Sequence, residues 1–574
     1  MAEAEYNPVV PVKRLGRFIR SERKIMYLIL FYALINGIIV LTLPLGIQAI
    51  LNFILGGRVS SSWFILIVIV ISGLIASGAI QIAQLSLTEK LQQRIFAQSS
   101  FSFAIRLPRI KIDAMQNRYA PEMVNQFFDT VTLQKGIAKL LVDFPTATLQ
   151  VFFGLILISV YHPFFLFFSV AVLLTLYILF RYTMPIGIVT SLKESAHKYE
   201  VAHWLEELAR TMGTFKLAGI TNLPLIKVDK LVMGYLYFRQ KHFAILMTQF
   251  RTMIAFKVIS VGTLLIMGSL LLIDGQISLG QFVAAEIIII LIMNSIEKLI
   301  VGLEDVYDVL TSVEKIGAVI DLPLEEEKVR NPRIISACEA FEVGIEDLGF
   351  SYPGTERRII NGFNLTVKAG EKIAIAGRDG SGKSTLLQLI TGLYDHYQGR
   401  ITYNGIPLSA LCHDHLRLAI GDNIWHEAIF KGTLRENITL GKKGVTDDEV
   451  TEVLEAVSAT EPMNMLDDGL NTMLSSGGQR IPKSFAAKII LARAVVYKPK
   501  LILFEDDTAA LHQFEQRKFL DYLFSQSFTV IATSNGSEFL KRAHRTLFID
   551  KGMVVFDGSY TDLISNDSYA RYIR

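Results

Sequence analysis

The chain has 574 residues, 51% of them hydrophobic and 19% charged, with 57 Lys and Arg against 54 Asp and Glu. That length exceeds one ordinary core and predicts at least two domains, and a net charge of +3 gives no electrostatic ground for a nucleic-acid partner. The two cysteines, Cys338 and Cys412, lack metal-ligand spacing and read as free, reduced thiols.

The N-terminal 25 residues are not a cleavable signal peptide. "VKRLGRFIRSERK" (12–24) is basic, with Leu15, Phe18, Ile19 and Ile25 at helical spacing, and predicts an amphipathic elbow helix in the membrane interface over residues 1–25. A solvated basic leader is the alternative. Apolar runs of about 20 residues, enough to cross a bilayer, then fall at 26–50, 63–85, 141–161, 164–184, 255–273 and 279–300. The links "NFILGGRVSS", "HP" and "DGQIS" are short, whereas 86–140 and 185–254 are long and rich in Lys and Arg. The positive-inside bias therefore places the N-terminus and the long stretches in the cytoplasm. Within those stretches, 121–137 and 198–216 carry charged helical periodicity, and are expected to extend the spanning helices and to include short cross-helices.

Two membrane charges need comment. Glu286, in "GQFVAAEIIIILIM", sits a turn or so into the sixth span, where a carboxylate must be paired or face water. It is a candidate for the bundle interior, contacting substrate or a neighbouring helix. Lys257, near the cytoplasmic end of the fifth span, can snorkel and needs no role.

After Asp321 the texture changes. Residues 322–335 form a charged, proline-marked linker, and from 336 to 574 short β-rich runs alternate with helical ones, as in an α/β domain. "KIAIAGRDGSGKSTLLQLITGLY" places Gly377, Arg378, Asp379, Gly380, Ser381, Gly382, Lys383, Ser384 and Thr385 between an apolar strand and an apolar-periodic helix, the context of a P-loop. Backbone N–H groups would wrap the phosphates of ATP at the helix N-terminus. Lys383 would reach the β and γ oxygens, and Ser384 would help hold Mg²⁺.

Six spans with two long cytoplasmic excursions, followed by this P-loop, resemble an ABC exporter half-transporter of the type I secretion and peptide-exporter kind. The likeness covers nearly the whole chain. It implies a multidomain membrane protein, with a six-helix transmembrane bundle (26–321) ahead of an α/β P-loop ATPase domain (336–574), in the inner (cytoplasmic) membrane among membrane lipid. It also implies a dimer, with two nucleotides held between the P-loop of one subunit and the signature of the other. The partner half-transporter is the same chain or a second one, and a membrane-fusion adaptor is a further candidate partner. Tyr352 in "LGFSYPG" matches the family's adenine-stacking aromatic, and "GTLRENI" (432–438) is family-like. No cysteine-peptidase domain precedes the first span, so leader-peptide cleavage is not expected.

The family's nucleotide-sensing signature, Leu-Ser-Gly-Gly-Gln, leads into a helix containing Ala-Arg-Ala. Its second glycine lies eight residues before the first of those alanines. Here that alanine is Ala492, which puts Ser484 at the glycine position and Ile481, Pro482, Lys483, Ser484 and Phe485 in the signature's place. The Gly-Gly-Gln-Arg at 477–480 lies six residues too early, about 9 Å along a helix, and reads as the family's glycine-rich lead-in. A six-residue insertion that keeps Gly477 and Gly478 functional is the alternative. Continued downstream, the count puts Glu505 where the family has its Mg²⁺-organising Asp, and Asp506 where it has the Glu that polarises water. Asn535 falls at the switch histidine, Trp425 at the Mg²⁺-ligating glutamine, and His512 where an Asp is usual. These departures share the γ-phosphate and water side, which predicts a protein that binds Mg-ATP and hydrolyses it slowly or not at all. A regulatory scaffold of a secretion assembly and an ordinary active exporter are the alternatives.

Overall fold

The computed structural model describes residues 12–16, 20, 22–56, 61–115, 120–325, 338–424, 429–505 and 511–573. The chain divides into two compact units. One comprises 1–109 and 117–322, and the other 110–116 and 323–574.

In the first unit six helical stretches are long and apolar enough to cross a membrane. The first is broken at Leu41 into α1 (Arg23–Val40) and α2 (Thr42–Leu55). It is followed by α3 (Ser61–Arg106), α4 (Asp129–Ser159), α5 (Pro163–Arg210), α6 (Leu223–Ile273) and α7 (Leu279–Ile320). The short links are set by capping chemistry. His162 Nδ1 accepts the Phe164 N–H at 3.2 Å, with Pro163 in the first turn of α5, a position that needs no proline N–H. Ser278 and Gln281 form a reciprocal capping box at the start of α7, satisfying two otherwise orphaned donors. Helix α7 is the most buried span and packs closely on α4. A Cβ on Gly154 would lie 2.9 Å from Ile292 Cγ1, and one on Gly302 would lie 2.6 Å from Phe144. Small residues at such crossings let helices approach where lipid supplies no hydrophobic drive.

The charged stretches 121–137 and 198–216 lie mostly in continuations of the spanning helices, α4 and α5, with short separate helices at Ala120–Asn125, Gln126–Phe128 (a 3-10 turn) and Met212–Leu217. In the basic N-terminal segment residues 12–16 are helical. Arg14 there pairs with Glu314 at 2.5 Å and Asp321 at 2.9 Å, so the segment is tied to α7. Lys257, which can snorkel from the end of its span, pairs with Glu297 of α7 at 3.1 Å. The pair ties α6 to α7 while both side chains stay partly exposed, at 43% and 41%.

The second unit is built on two sheets. Strands β1 (Val343–Ser351), β2 (Arg358–Val367), β4 (Gln398–Tyr403) and β5 (Ile406–Pro407) make an antiparallel sheet in the order β2-β1-β4-β5. Strands β3 (Lys372–Gly377), β6 (Ile420–Asp422), β9 (Leu501–Glu505), β10 (Thr529–Thr533), β11 (Arg545–Asp550) and β12 (Met553–Gly558) make the larger sheet, ordered β12-β11-β3-β10-β9-β6. All its pairs are parallel except β11–β12. The two-residue strands β7 (Gly432–Thr433) and β8 (Met473–Leu474) pair separately. Every residue of β3 and β10 is buried, as expected for central parallel strands covered on both faces.

A short piece of the first long excursion folds with this unit. Ile110 bridges to Leu324, the Lys111 N–H donates to Pro323 O at 3.0 Å, Lys111 Nζ pairs with Asp395 at 2.9 Å, and Ile112 packs on the core under the antiparallel sheet. Sequence periodicity did not single out 110–116, because seven residues with no regular repeat give it nothing to detect.

Candidate nucleotide site

The P-loop follows from its sequence. Strand β3 delivers Gly377 to the C-terminal ends of the parallel strands, and α8 (Lys383–Ile390) begins six residues later. The turn between them needs left-handed backbone. Gly380 has φ +73° and Gly382 φ +101°, conformations that favour glycine. At Gly382 space is also lacking, since a Cβ would lie 2.8 Å from Ile360 Cδ1 and 3.1 Å from Ile359 O. The first-turn N–H groups of α8 have no intrahelical partner and face this loop.

Lys383 Nζ donates to the carbonyls of Gly377 and Arg378, both at 2.8 Å. Burial pushes its ammonium below the ordinary lysine range, while Asp379 and Glu505 pull it back up. Ser384 Oγ donates to Glu505 Oε1 at 2.7 Å, which sets a hydroxyl and a carboxylate side by side, oxygen donors of the kind a hard divalent cation takes. Ser381 Oγ is buried with no hydrogen-bond partner among the described residues. Such an orphan is expensive unless a ligand completes it. Together with the glycine turn and the lysine, these features fit a nucleoside triphosphate with Mg²⁺. When bound, such a nucleotide would supply a phosphoanhydride at this loop.

Around this cradle, Tyr352 donates to or accepts from Thr385 Oγ1 at 2.8 Å, and its ring stands edge-on to Phe350 and Tyr394 at 5.1 and 5.7 Å. The packing fixes a half-buried aromatic beside the loop. Arg378 lies 3.8 Å from Asp550 and stacks on Tyr572 at 4.9 Å, whereas Asp379 is exposed.

The structure brings Asn535 to the same loop. Its Oδ1 accepts the Gly377 N–H at 3.1 Å and its Nδ2 donates to Gly377 O at 3.2 Å. Both polar atoms are thus engaged, and the side chain carries no charge. Asp506 and Trp425 lie outside the described residues. His512 caps the helix Gln513–Ser525 through a capping box with Glu515. Sequence reasoning missed Asn423. Its Oδ1 accepts the Glu505 N–H at 2.7 Å and its Nδ2 donates to Glu505 O at 2.8 Å, which pins the end of β9 to the segment after β6. An asparagine immediately beyond β6 was the available signal.

A second helix start bears on the same chemistry. Helix α9 (Lys483–Val495) begins after Pro482, which makes no side-chain cap bond. Ile481 and Ser484 are partly exposed, Pro482 and Lys483 exposed, and Phe485 buried in the helical-side core. Gly477 and Gly478 sit in a separate short turn. The Gly477 N–H donates to Ile429 O at 2.9 Å and the Gly478 N–H to Ser475 O at 3.0 Å, so both amides are spent on local structure. In the membrane unit, Glu286 is half-buried on α7 with no hydrogen-bond or ion-pair partner among the described residues.

A six-span helical unit joined to a P-loop domain of this topology defines an ABC exporter half-transporter. Comparison with known proteins agrees. Residues 360–509 match the ABC transporter family model. The chain is 28% identical over 375 residues to the alpha-hemolysin translocation ATP-binding protein HlyB of Escherichia coli O157:H7, covering 64% of this chain and 52% of that protein. It is 24% identical over 491 residues to the transport/processing ATP-binding protein ComA of Streptococcus pneumoniae (strain ATCC BAA-255 / R6), covering 84% of this chain and 67% of that one. The chain thus spans about half the length of the toxin-translocation relatives it matches. The structure of a bacterial Atm1-family ABC exporter with ATP bound superposes with a TM-score of 0.84, over 96% of this chain and 97% of that one, at 19% identity, and so shares the fold. Residues 360–509 are thus an ABC transporter domain, and the chain as a whole, with six helices long and apolar enough to cross a membrane ahead of that domain, is similar to the ABC exporter half-transporters.

Proposed function

We propose that the protein works as a dimer in the inner (cytoplasmic) membrane, N-terminus and nucleotide-binding domain in the cytoplasm. In this reading Mg-ATP binding drives export of a peptide, a protein or another bulky solute, and hydrolysis is slow or absent. We assign residues 1–25 to an interfacial elbow, 26–321 to the membrane domain, 322–335 to a linker and 336–574 to the nucleotide-binding domain. The substrate class rests on the relatives' names, one a hemolysin translocator and the other a transport/processing protein. The second half-transporter is a copy of this chain or a related one, and a membrane-fusion adaptor is the outer partner to seek.

The observation that carries slow turnover is the start of α9. A signature needs a hydroxyl and free backbone amides at the γ-phosphate. Pro482 has neither a hydroxyl nor an N–H, Lys483 adds a side chain, and the amides of Gly477 and Gly478 are already bonded. Asn535 supports the same reading, being neutral and held by Gly377. Asp506 is one methylene shorter than a glutamate, and a misplacement on the order of 1 Å costs about 10²-fold. ATP binding closes the dimer and turnover resets it slowly. A fully competent partner does not restore fast hydrolysis, because each composite site still contains one weakened half. Residues 110–112, which bond within the unit that holds the P-loop, are the segment through which coupling is proposed to pass. Purified protein in nanodiscs tests the reading. ATPase activity near that of a competent exporter, inhibited by vanadate, sinks the slow-turnover claim, and nucleotide binding that survives Lys383→Ala sinks the site itself.

A further inference from the structure

Two adjoining cavities in the membrane unit, of about 480 Å³ and 860 Å³, share Lys139, Asp143 and Lys298. Each lies in the range of ligand pockets, and their common wall makes them one cleft bounded by α1, α3, α4 and α7. Elsewhere α3, α5 and α6 turn residues such as Ile75, Phe167, Tyr177 and Val258 outward, surfaces suited to lipid. The charges of the cleft lie instead toward the cytoplasmic ends of the spans, with Lys135 and Lys139 in the stretch ahead of the third span and Asp143 and Lys298 near the ends of the third and sixth. Their balance is uneven. Lys139 is matched by Asp305 at 2.7 Å and Glu297 by Lys257 at 3.1 Å. The lining sets Lys135, Lys139 and Lys298 against Asp143, Glu297 and Asp305, and because Lys257 from outside the lining takes Glu297, Lys135 and Lys298 are left to share Asp143 with Lys139. Neither Lys135 nor Lys298 has a hydrogen-bond or ion-pair partner among the described residues.

The rest of the lining is rich in carboxamides, each both donor and acceptor like a peptide unit. Gln150 uses Oε1 to accept from Ser295 and Gln81 uses Nε2 to donate to Ser77, which leaves the amide N–H₂ of the first and the carbonyl of the second. Thr146 Oγ1, on the same wall, is buried without a hydrogen-bond partner among the described residues.

Resting on the export reading above, we propose that this cleft takes the exported chain and selects an extended acidic peptide segment. Lys135 and Lys298 receive its carboxylates, while Gln81, Gln150 and Thr146 bond its main chain. The test uses the full-length protein in nanodiscs and three short fluorescein-labelled peptides, alternating Asp-Gln, all Gln, and alternating Lys-Gln, followed by fluorescence anisotropy. The acidic peptide should bind about 10-fold more tightly than the neutral one at low salt, with the advantage shrinking as the Debye length falls. The double variant Lys135→Glu/Lys298→Glu should lose that preference and favour the lysine peptide, and Lys135→Arg/Lys298→Arg should keep the original order. Equal affinity for all three peptides, or an acidic preference that survives charge reversal, overturns the proposal. So does charge reversal that only splits dimers to monomers by light scattering, since the face would then be a contact between copies. Acidic-peptide binding that Mg-ATP leaves unchanged in a Lys383-intact protein would instead sink the export reading and leave the site standing.

Discussion

Two helices of the nucleotide domain begin with a lysine, α8 at Lys383 and α9 at Lys483, and they differ in every feature that matters to a phosphate. Ahead of Lys383 stands Gly382 in left-handed backbone at φ +101°, and the lysine folds back over the loop carbonyls. Ahead of Lys483 stands Pro482 at φ −56°, ψ 143°, and the lysine side chain is exposed. In the reading proposed above, the helix N-terminus and the cation that both starts share are not enough. Anion binding also needs a chain before the helix that turns its amides inward, which glycine allows and proline forbids. In the proposed register the first start is the cradle for ATP and the second has lost its grip on the γ-phosphate.

The largest expected difference is in affinity. Lys383→Ala should weaken Mg-ATP binding about 100-fold, about 2.7 kcal/mol, by calorimetry, whereas Lys483→Ala should change it less than twofold. A large loss on Lys483→Ala would mean that exposed charge holds the nucleotide after all. The converse experiment rebuilds the weak side. Combining Pro482→Ser, Lys483→Gly and Ser484→Gly with Asp506→Glu should raise turnover about 100-fold, measured as phosphate release. No rise would move the block elsewhere.

Glycine substitutions sharpen the contrast at smaller scale. Gly382→Ala meets both a positive φ and Ile360 and should cost about 1–3 kcal/mol, seen as a lower unfolding temperature and lost ATP stabilisation. Gly477 also has a positive φ, +68°, but open space around it. Its alanine should cost about 1 kcal/mol and leave ATP stabilisation intact. Smaller still, Asn423→Ala removes both bonds that pin Glu505. It should weaken the Mg²⁺ dependence of binding several-fold while metal-free ATP binds as before. If both fall together, Asn423 serves the fold and not the metal.

How legible the molecule was depended on what kind of order carried each part. The spans were readable because twenty apolar residues in a row have one physical use, and the P-loop because its glycines and lysine are spaced by the phosphates they wrap. The break at Leu41 left no mark in so uniform an apolar run. The Lys257–Glu297 pair joins residues forty apart in sequence, and its geometry is set by how α6 meets α7. Asn423 and Asn535 look alike in sequence. Only the fold shows that one bonds the Glu505 backbone and the other Gly377.

Proton linkage at Lys383 should act with opposite signs on stability and on nucleotide affinity. Burial holds its ammonium below the usual 10.5, so between the folded value and 10.5 the unfolded chain binds the extra proton. Stability of the nucleotide-free protein should therefore rise with pH through that window, since the cost of burying the charge disappears as the proton leaves. Nucleotide affinity should move the other way. Phosphates favour the ammonium, so binding is full at neutral pH and falls as pH rises through the folded value, before 10.5 is reached. Lys383→Arg keeps its charge throughout and should flatten both trends, read by thermal unfolding and by ATP titration across alkaline pH. Affinity that holds steady to 10.5 in the unaltered protein would mean that Lys383 stays protonated there, and that burial at the loop is weaker than the geometry around Gly377 and Arg378 implies.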